Sequence, residues 1–430
     1  MDNSKRLMLG ESVVKNKRKN RWSLRVIQMA LCILVGLGNG CYAAELSQYK
    51  QIQTDLKAFT VSKNVQVVGL GEASHGVKEY HEMKAEVFKA LVQNNGGRDF
   101  IIEGDFGGAL KVNDYIHGAQ MTAKQAISEI GFGIYETEEL VNLIEWMRAY
   151  NEKASEGEDL HFYGMDMQRF NNSKAYLFSV LDQGASELSE KYKACFIHLN
   201  DENRSQLKRE EILKAKKDLL ALISEMDTYQ KAITKVAGKE AFEFAKAAAQ
   251  CIYEYCEILS CPDQLYSQLR DQYMAENVKW FLERKTKGPL FINGHNGHIG
   301  KVSSSVFTAL GERLAKDLGE NYYAIGTDAT ITSFNSQGTD GEFTVRTVEN
   351  TNELASLVSK TENNMVYFET KSEEASWEKL MNTPIRMTSL NVGIAEWQKL
   401  IKTAYTTVVT PSASYNALIL FHEVHPTTLL

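Results

Sequence analysis

Two patterns of apolar and polar positions alternate along most of this chain. Short apolar runs that suit buried strands are followed by stretches with apolar residues at helical spacing, as in residues 78–93, 109–116 and 140–150. The runs that predict strands are 65–70, 100–102, 161–163, 289–292, 322–325, 365–368 and 417–421. Because strands that alternate with helices form parallel sheets, the pattern predicts an α/β fold with a largely parallel central sheet flanked by helices.

The alternation stops between about residues 172 and 287. This region is rich in Lys, Glu, Ala and Leu, and the segments 210–232, 239–259 and 263–283 each carry helical periodicity. We interpret the region as a helical insertion within a single domain that spans residues 44–430. The sequence leaves open whether the insertion covers a ligand site or only completes the packing.

The first 43 residues have a different composition. A basic segment, 15–21, precedes an apolar stretch, 26–37, and Cys41-Tyr42-Ala43 has the small-x-small form of a cleavage site. These features predict a secretory signal peptide, or an N-terminal anchor if the segment is retained. We therefore expect the protein to be exported to the periplasm, the cell envelope or the medium, with any membrane contact confined to this segment.

The net charge excludes one class of partner, and the cysteines leave two states open. The chain carries a formal net charge of −7, and removal of the basic N-terminal segment would make it more acidic. Such a chain repels phosphates overall, so we expect no nucleic-acid partner. The cysteines that follow the N-terminal segment lack zinc-site spacing, and export permits either disulfides or buried thiols. These cysteines are Cys195, Cys251, Cys256 and Cys261.

Polar and ionisable residues follow the predicted strands at the point where each strand ends. In open parallel sheets the carboxyl ends of the strands share one edge, and ligands bind there. Several separate segments of this chain would therefore meet in one crevice. The ionisable residues that these segments place there include Glu72, His75, Glu103, Asp166, His295 and His298.

The residue types at this edge suit general acid–base chemistry. An imidazole is a good general base near neutral pH, and a carboxylate can hold its tautomer. His75 is the candidate base, and Glu72 or Glu103 is the candidate orienting acid. Ser74 is a poor candidate nucleophile, because it is adjacent to His75 and lacks the G-x-S-x-G elbow. The pattern favours direct activation of water without a covalent intermediate.

A metal site is the alternative chemistry for the same residues. His295 and His298, together with His75 and the two glutamates, would suffice to hold zinc or manganese. However, the H-E-x-x-H motif is absent, and a His-x-x-His pair in a glycine-rich loop specifies little. We therefore expect a site that uses neither a metal nor a cofactor.

Three further residues have open assignments. Arg270 could bind a substrate carboxylate or stabilise an oxyanion, or it could form an ordinary ion pair on its helix. Asp166 and Gln168 fit the capping of the following helix slightly better than they fit substrate contact. We keep Arg270, Asp166 and His298 as candidates for contacts with the substrate or an oxyanion.

The segment GLGEASHG at residues 69–76 resembles the first signature of the erythromycin esterase family, G-E-x-[ST]-H-G. Further segments resemble the family in the same order along the chain, at 100–103, 162–168, 270–277 and 294–298. The resemblance implies an α/β fold unrelated to that of the serine α/β hydrolases, with a helical portion around the cleft. It also implies opening of macrolide lactone rings by the addition of water.

The resemblance further implies a role for individual residues. His75 corresponds to the histidine that acts as general base, Glu72 and Glu103 correspond to the glutamates of the family, and His295 corresponds to its later histidine. The reaction of the family is thought to need no metal. Lys78 stands where the resemblance leads us to expect an arginine. A different ester or a component of the cell envelope would also suit an exported member.

The residues and the resemblance together lead us to expect an exported hydrolase that adds water to a carboxylic ester or a macrolide-type lactone. Its partner would be a small-molecule ester. Two alternatives stay open. One is a metal-dependent hydrolase of peptide or phosphate bonds, which metal analysis would reveal. The other is a non-catalytic binding protein of the cell envelope, which would bind a ligand but form no product.

Overall fold

The computed structural model describes residues 52–285, 287–338, 340–358, 364–390 and 392–430. The predicted signal peptide or anchor at residues 1–43 lies outside the described residues, so it stays a prediction. Within these ranges, no helix is long and apolar enough to cross a membrane.

The described residues form strands separated mainly by helices. In chain order the strands are β1 (Val67–Glu72), β2 (Asp99–Asp105), β3 (His161–Asp166), β4 (Leu290–His295), β5 (Tyr322–Gln337), β6 (Phe343–Glu349), β7 (Met365–Glu369), β8 (Ile385–Thr388), β9 (Thr406–Val409) and β10 (Ala417–Val424).

The first seven described helices lie within residues 78–237. They are α1 (Lys78–Asn95), α2 (Phe106–Ile116), α3 (Ala123–Ser128), α4 (Glu138–Asn151), α5 (Asn171–Gly184), α6 (Ser186–Lys193) and α7 (Arg209–Ala237). The remaining helices are α8 (Lys239–Ser260), α9 (Tyr266–Leu282), α10 (Asn296–Ile299), α11 (Leu310–Leu318), α12 (Ala355–Val358), α13 (Ala375–Met381) and α14 (Pro411–Ser414). Short 3₁₀ turns lie between these helices and strands, and one of them, Gly133–Tyr135, contributes to the site.

The central sheet is largely parallel, as predicted. Strands β3, β2, β4, β1, β5 and β10 lie side by side in this order, and each neighbouring pair is parallel. Strand β7 is antiparallel to β10 at one edge, and β6 is antiparallel to the far half of the long strand β5. Strands β8 and β9 form a separate antiparallel pair. The carboxyl ends of six strands therefore share one edge.

Each face of the sheet carries its own apolar layer. Along β1, Val67 packs into one layer and Val68 into the other, because successive side chains of a strand point to opposite faces. Every residue of β1, β2 and β4 is buried, as expected for central strands that helices cover on both sides. Phe100 of β2 stacks on Phe162 of β3 with ring centroids 5.2 Å apart. These layers hold in place the strands that carry the residues of the site.

The predicted insertion is helical throughout its described part. Helices α5 to α9 follow one another between β3 and β4, and α7 and α8 pack against each other and against α5. Helix α9 brings the chain back to the sheet, where the Asn277 side chain donates a hydrogen bond of 3.0 Å to the Met165 carbonyl of β3. The insertion therefore reaches the carboxyl edge of the sheet through α9. Its membership of one domain with the sheet stays a prediction.

Several strands continue further than predicted. The predicted run 65–70 is strand Val67–Glu72, and the run 289–292 is strand Leu290–His295. Glu72 and His295, which were expected to follow their strands, thus belong to them, because β1 and β4 remain paired up to these residues. Strand β6 was not predicted, since most of its residues are partly or fully exposed and form no apolar run.

The cysteines of the described chain form no disulfide. Cys251 and Cys256 are buried thiols of α8, and Cys195 and Cys261 are partly exposed. Burial raises the pKa of the Cys251 thiol well above its usual value, so this thiol is unreactive. The sequence left open whether these cysteines form disulfides or remain thiols, and in the structure they are thiols.

Candidate active site

Three neighbouring strands bring the predicted acid–base residues together. In the sheet order β2-β4-β1, Glu72 of β1 lies beside His295 of β4, and Glu103 of β2 borders β4 on its other side. His75 follows β1 in a turn. Each of these four residues is at most 8% exposed. Residues far apart in the sequence therefore form one nearly enclosed cluster.

Glu72 orients the His75 ring. The Nδ1 atom of His75 lies 3.2 Å from Oε2 of Glu72, and the other oxygen of Glu72 forms an ion pair with Lys84 of α1. Burial alone raises the pKa of Glu72, but Lys84 and the hydrogen bond with His75 outweigh it and hold that pKa well below its usual range. Glu72 is therefore a carboxylate that accepts the Nδ1 proton of His75. The ring nitrogen Nε2 then keeps its lone pair.

Glu103 lies on the other side of the His75 ring. Its Oε2 atom is 3.8 Å from Nε2 of His75, which is too long for a hydrogen bond. The same Oε2 atom accepts a bond of 2.8 Å from the main-chain N–H of His295. Its Oε1 atom accepts a bond of 2.7 Å from Arg270. Burial alone raises the pKa of Glu103, but His298 and Arg270 hold that pKa well below its usual range. Glu103 is thus an ionised group held by partners other than His75.

Arg270 links two buried carboxylates of the sheet, so the ion pair that the sequence analysis left open is not one within its own helix. Its Nη2 atom lies 2.7 Å from both Glu103 Oε1 and Asp166 Oδ2. The capping prediction for Asp166 and Gln168 is also wrong, because the Phe170 N–H at the start of α5 donates a bond of 2.7 Å to Asp201 instead. Gln168 instead donates to the Tyr266 hydroxyl. Asp166 pairs through Oδ2 with Arg270 of α9, and its Oδ1 atom accepts a bond of 2.8 Å from the adjacent Met167 N–H.

His295 is held as a neutral hydrogen-bond donor. Its Nδ1 atom accepts a bond of 3.1 Å from the Gly297 N–H, which assigns the ring proton to Nε2. Burial, together with His75 and His298, lowers the pKa of His295 to about 3. Among the described residues, the buried Nε2 atom has no hydrogen-bond partner. A buried donor without a partner is costly, so this N–H is suited to bind an oxygen atom of a ligand.

His298 is positively charged, whereas His295, three residues earlier in the chain, is neutral. Its Nδ1 atom donates a bond of 2.7 Å to Asp271, and its Nε2 atom lies 3.3 Å from Glu103 Oε1. Burial alone lowers the pKa of His298, but Asp271 and Glu103 raise it to about 9. His298 is therefore protonated at neutral pH and adds a positive charge beside Glu103.

Three buried polar residues of the site were missed by the sequence analysis. Lys84 lies on the apolar stripe of α1, and a lysine on such a stripe is a usable signal for a buried ion pair. The Tyr135 hydroxyl lies 3.4 Å from His75 Nδ1, and His81 Nε2 lies 2.9 Å from the His75 carbonyl oxygen. Nothing in the local sequence distinguishes this tyrosine from the other tyrosines of the chain. Its role depends on a contact between distant segments.

Gly294 leaves room for the carboxylate of Glu103. A Cβ atom on Gly294 would lie 2.8 Å from Oε2 of Glu103, closer than real Cβ contacts. Alanine at this position would therefore push the carboxylate of Glu103 away from the His295 N–H. The glycine that precedes His295 is thus needed for the contact between β2 and β4.

Cations of the chain itself neutralise the two glutamates. Lys84 pairs with Glu72, and Arg270 pairs with Glu103. In the part of the chain that the structure describes, no group of three or more His, Cys, Asp or Glu residues has the geometry to hold a metal ion. A divalent ion at the glutamates would have to displace Lys84 and Arg270. The metal-free site stays a prediction, and the residues present do not fit the zinc or manganese alternative.

The fold and the site define the class of this protein: an α/β protein with an acid–base cluster at the carboxyl edge of a mainly parallel sheet, as in a hydrolase. The family model described as erythromycin esterase matches residues 92–424, and the chain belongs to the erythromycin esterase family. The match begins after His75 and includes Glu103 and His295. The resemblance predicted from short segments is therefore confirmed.

A curated relative is similar to this chain in sequence, and solved structures share its fold. The chain is 23% identical over 303 residues to the erythromycin esterase type II of Escherichia coli. The aligned region covers 63% of this chain and 70% of the relative. A crystal structure from Bacillus cereus superposes with a TM-score of 0.74 at 21% identity, over 86% of this chain and 94% of the other. An erythromycin esterase mutant in its open conformation gives 0.63 at 16% identity, over 85% and 92%.

Proposed function

We propose that the chain hydrolyses a carboxylic ester, or a lactone of the macrolide type, by direct addition of water. Membership of the erythromycin esterase family supports hydrolysis. The observation that carries the proposal is the His75 imidazole, which an ionised Glu72 holds at Nδ1 while Nε2 stays free. An imidazole in this state is oriented to take a proton from water.

The steps of the reaction follow from the protons of the site. Nε2 of His75 takes a proton from water as the water oxygen bonds to the ester carbonyl carbon, and the carbonyl oxygen becomes an oxyanion. The Nε2–H group of His295 donates a hydrogen bond to that oxyanion. The bond from the carbon to the alcohol oxygen then breaks, and the His75 imidazolium gives its proton to the leaving alkoxide. The acid and the alcohol together contain the ester and one water.

The cations beside Glu103 offset its negative charge, which would otherwise repel the developing oxyanion. Arg270 and the protonated His298 both contact Glu103, and Asp166 anchors Arg270 from the other side. Because these side chains already have partners, we propose that they hold Glu103 and tune the field, while His295 makes the direct bond.

The macrolide part of the proposal rests on the relatives. The Escherichia coli relative, which is similar in sequence, and one structural neighbour, which shares the fold, are both named as erythromycin esterases. The chemistry of the cluster requires only an ester carbonyl that can reach His75 and His295. A simpler ester or an ester of the cell envelope would satisfy the same site.

We also propose that residues 1–43 direct export or anchor the chain at a membrane. The support is the basic segment 15–21 followed by the apolar stretch 26–37. Sequencing the N-terminus of the protein from separated cell fractions tests this proposal. A start near residue 44 outside the cytoplasm supports cleavage. A protein that keeps residue 1 and stays in the cytoplasm contradicts export.

The function is tested by incubating the purified protein with a panel of macrolides and simple carboxylic esters. We expect at least one compound to gain the mass of one water. His75→Gln should abolish the gain, and His117→Gln, a change at an exposed histidine away from the site, should preserve it. A panel without any product, from a folded protein, would contradict ester hydrolysis. Equal gains from the parent and His75→Gln would contradict the assigned base.

A further inference from the structure

Two short segments touch the Nδ1 edge of the His75 ring. One is the turn after β1, residues 73–77, which contains His75 and so sets the position of its ring. The other is the 3₁₀ turn Gly133–Tyr135, whose Tyr135 hydroxyl lies 3.4 Å from Nδ1. The two rings also meet edge-on with centroids 5.7 Å apart, and Tyr135 is only 2% exposed. The orientation of the imidazole therefore depends on how these two segments are placed relative to each other.

The last six residues of the chain run across both segments, and we call residues 425–430 the C-terminal strap. On the β1 side, the Thr427 N–H donates a bond of 3.1 Å to the Gly76 carbonyl, next to the proposed base. The Lys78 N–H donates a bond of 2.8 Å to the His425 carbonyl. Thr427 is buried. The strap is thus fixed to the turn after β1 by main-chain hydrogen bonds.

On the other side, the strap binds the residues that follow the Tyr135 turn. The Leu430 N–H donates a bond of 3.0 Å to the Glu136 carbonyl, and the Glu138 N–H donates a bond of 2.9 Å to the Thr428 carbonyl. The Thr428 N–H donates a bond of 3.1 Å to the Glu139 carboxylate. The end of the strap is therefore paired with the start of α4, directly after the turn that carries the tyrosine.

A second link between the same two segments lies inside the protein. His81 Nε2 is 2.9 Å from the His75 carbonyl oxygen, and His81 Nδ1 is 3.3 Å from the Thr137 hydroxyl. Burial lowers the pKa of His81 to about 3, so this ring is neutral and can donate only one of the two bonds. The inner link is a single side chain. The strap joins the same segments from outside through the main-chain hydrogen bonds described above.

We propose that the C-terminal strap is a positioning element of the active site, which sets Tyr135 against His75 and so keeps the Nδ1 edge of the imidazole towards Glu72. This inference rests on the proposed function of His75 as the base. The strap does not contain a catalytic residue, since it reaches His75 only through Gly76 and the Tyr135 turn. It also lies beyond residue 424, where the match to the family model ends.

The test is a chain shortened to end at residue 427, which keeps the contacts with the β1 turn and loses those with the Tyr135 turn. We expect kcat for the ester to fall by about 10- to 100-fold, the scale of small misplacements in active sites, while KM changes little. Leu430→Ala is the matched control, because it keeps the N–H that donates to Glu136 and should behave as the parent. If the shortened chain does not fold, Leu430→Pro, which removes that N–H, replaces it in the same comparison.

A double-mutant cycle with Tyr135→Leu separates positioning from general loosening. If the strap acts through Tyr135, the combined variant should lose no more kcat than the worse single variant, because both changes remove the same contact. Losses that multiply would show that the strap acts elsewhere and would overturn the inference. A parent-like kcat in the shortened chain would overturn it as well.

Nuclear magnetic resonance of labelled histidine rings tests the inference without turnover. We expect Nδ1 of His75 to carry the proton in the full chain and to exchange between tautomers in the shortened chain, with His298 unchanged. Unchanged His75 signals would overturn the positioning role even if the protein hydrolyses esters. A full chain that hydrolyses no ester would contradict the proposed function, and the ring signals would still report on the strap.

Discussion

The two carboxylates that flank His75 are both ionised, but their surroundings differ. Glu72 is fully buried, pairs with Lys84 and makes a hydrogen bond to Nδ1 of the ring. Glu103 binds Arg270 and a backbone N–H, and it stays 3.8 Å from Nε2. One acid therefore fixes the ring, and the other leaves the second nitrogen free.

This difference separates orientation from electrostatics. The acid with one cation holds the tautomer of His75, because its carboxylate accepts the Nδ1 proton. The acid with several donors is held 3.8 Å from Nε2, beyond hydrogen-bond distance, so that nitrogen can accept a proton from water. An imidazole bound equally by both acids would be a poor base. Substitutions at single groups of the site test this difference between Glu72 and Glu103.

The largest expected effect is the loss of the base. His75→Gln removes the nitrogen that takes the proton from water and should lower kcat/KM for the ester by about 10⁴-fold, at the upper end for general-base catalysis. Steady-state kinetics with a matched circular dichroism spectrum measures it. A folded variant with most of the parent activity would show that the base lies elsewhere.

Glu72→Gln should have the next largest effect, on the order of 10³-fold in kcat/KM, because it reverses the tautomer. Lys84 donates hydrogen bonds and accepts none, so it would take the amide oxygen and leave the amide N–H₂ facing His75. The ring would then carry its proton on Nε2 and could not act as a base. Glu103→Gln should lower kcat/KM less. Equal losses in the two variants would remove the distinction between the acids.

The same two substitutions should differ in stability. Glu72→Gln leaves Lys84 buried without its counterion and should lower the free energy of unfolding by about 3–5 kcal/mol. Adding Lys84→Met should restore most of this stability but not the activity. Glu103→Gln should cost less, because Arg270 keeps Asp166 as a partner. Denaturant unfolding measures all three, and a larger cost at Glu103 would contradict this account.

His298 should make stability depend on pH on the alkaline side. Its pKa is raised from 6.5 to about 9 in the fold, so its contribution is fully present below pH 6.5 and is lost as pH rises through about 9. Asp271→Asn removes the main cause of the raised pKa and should flatten this part of the profile. Melting temperatures across that range measure the effect. A parent profile without any decline between these values would contradict the protonated state of His298.

The smallest effect is expected at Ser74, which lies between Glu72 and His75 in the sequence. Its buried hydroxyl is only 3.4 Å from the Gly76 N–H and is not needed for the proposed steps. Ser74→Ala should therefore keep kcat/KM close to that of the parent. In a serine mechanism the same change would remove the nucleophile and nearly all of the activity. A loss of that size would replace water with Ser74 as the attacking group.

The parts of the site that lie on parallel strands could be predicted from the sequence. Apolar runs identified the strands, and the shared carboxyl edge of a parallel sheet required Glu72, Glu103 and His295 to meet there. The identity of the ion pairs could not be predicted in this way. Arg270 reaches its carboxylates from α9, at the end of a long helical insertion whose packing has no local signal.

The parts of the site that depend on loops could not be predicted. Tyr135 comes from a single 3₁₀ turn, and the C-terminal strap binds its neighbours mainly through main-chain atoms, which leave no pattern in the side chains. Capping was predicted for Asp166 because it precedes a helix, but a buried ion pair with Arg270 outweighed that local preference. Lys84 is the exception, since a charged residue on an apolar helix stripe is visible in the sequence.

A single turnover in water labelled with heavy oxygen tests the central claim most directly, which is that His75 activates water to attack the ester without a covalent intermediate. The protein is used in excess over an ester that it hydrolyses, and both the product and the intact protein are weighed by mass spectrometry at short times. The account predicts one labelled oxygen in the first product acid and a protein of unchanged mass throughout. A protein that transiently carries the acyl group, or that retains the label in a glutamate, would contradict it.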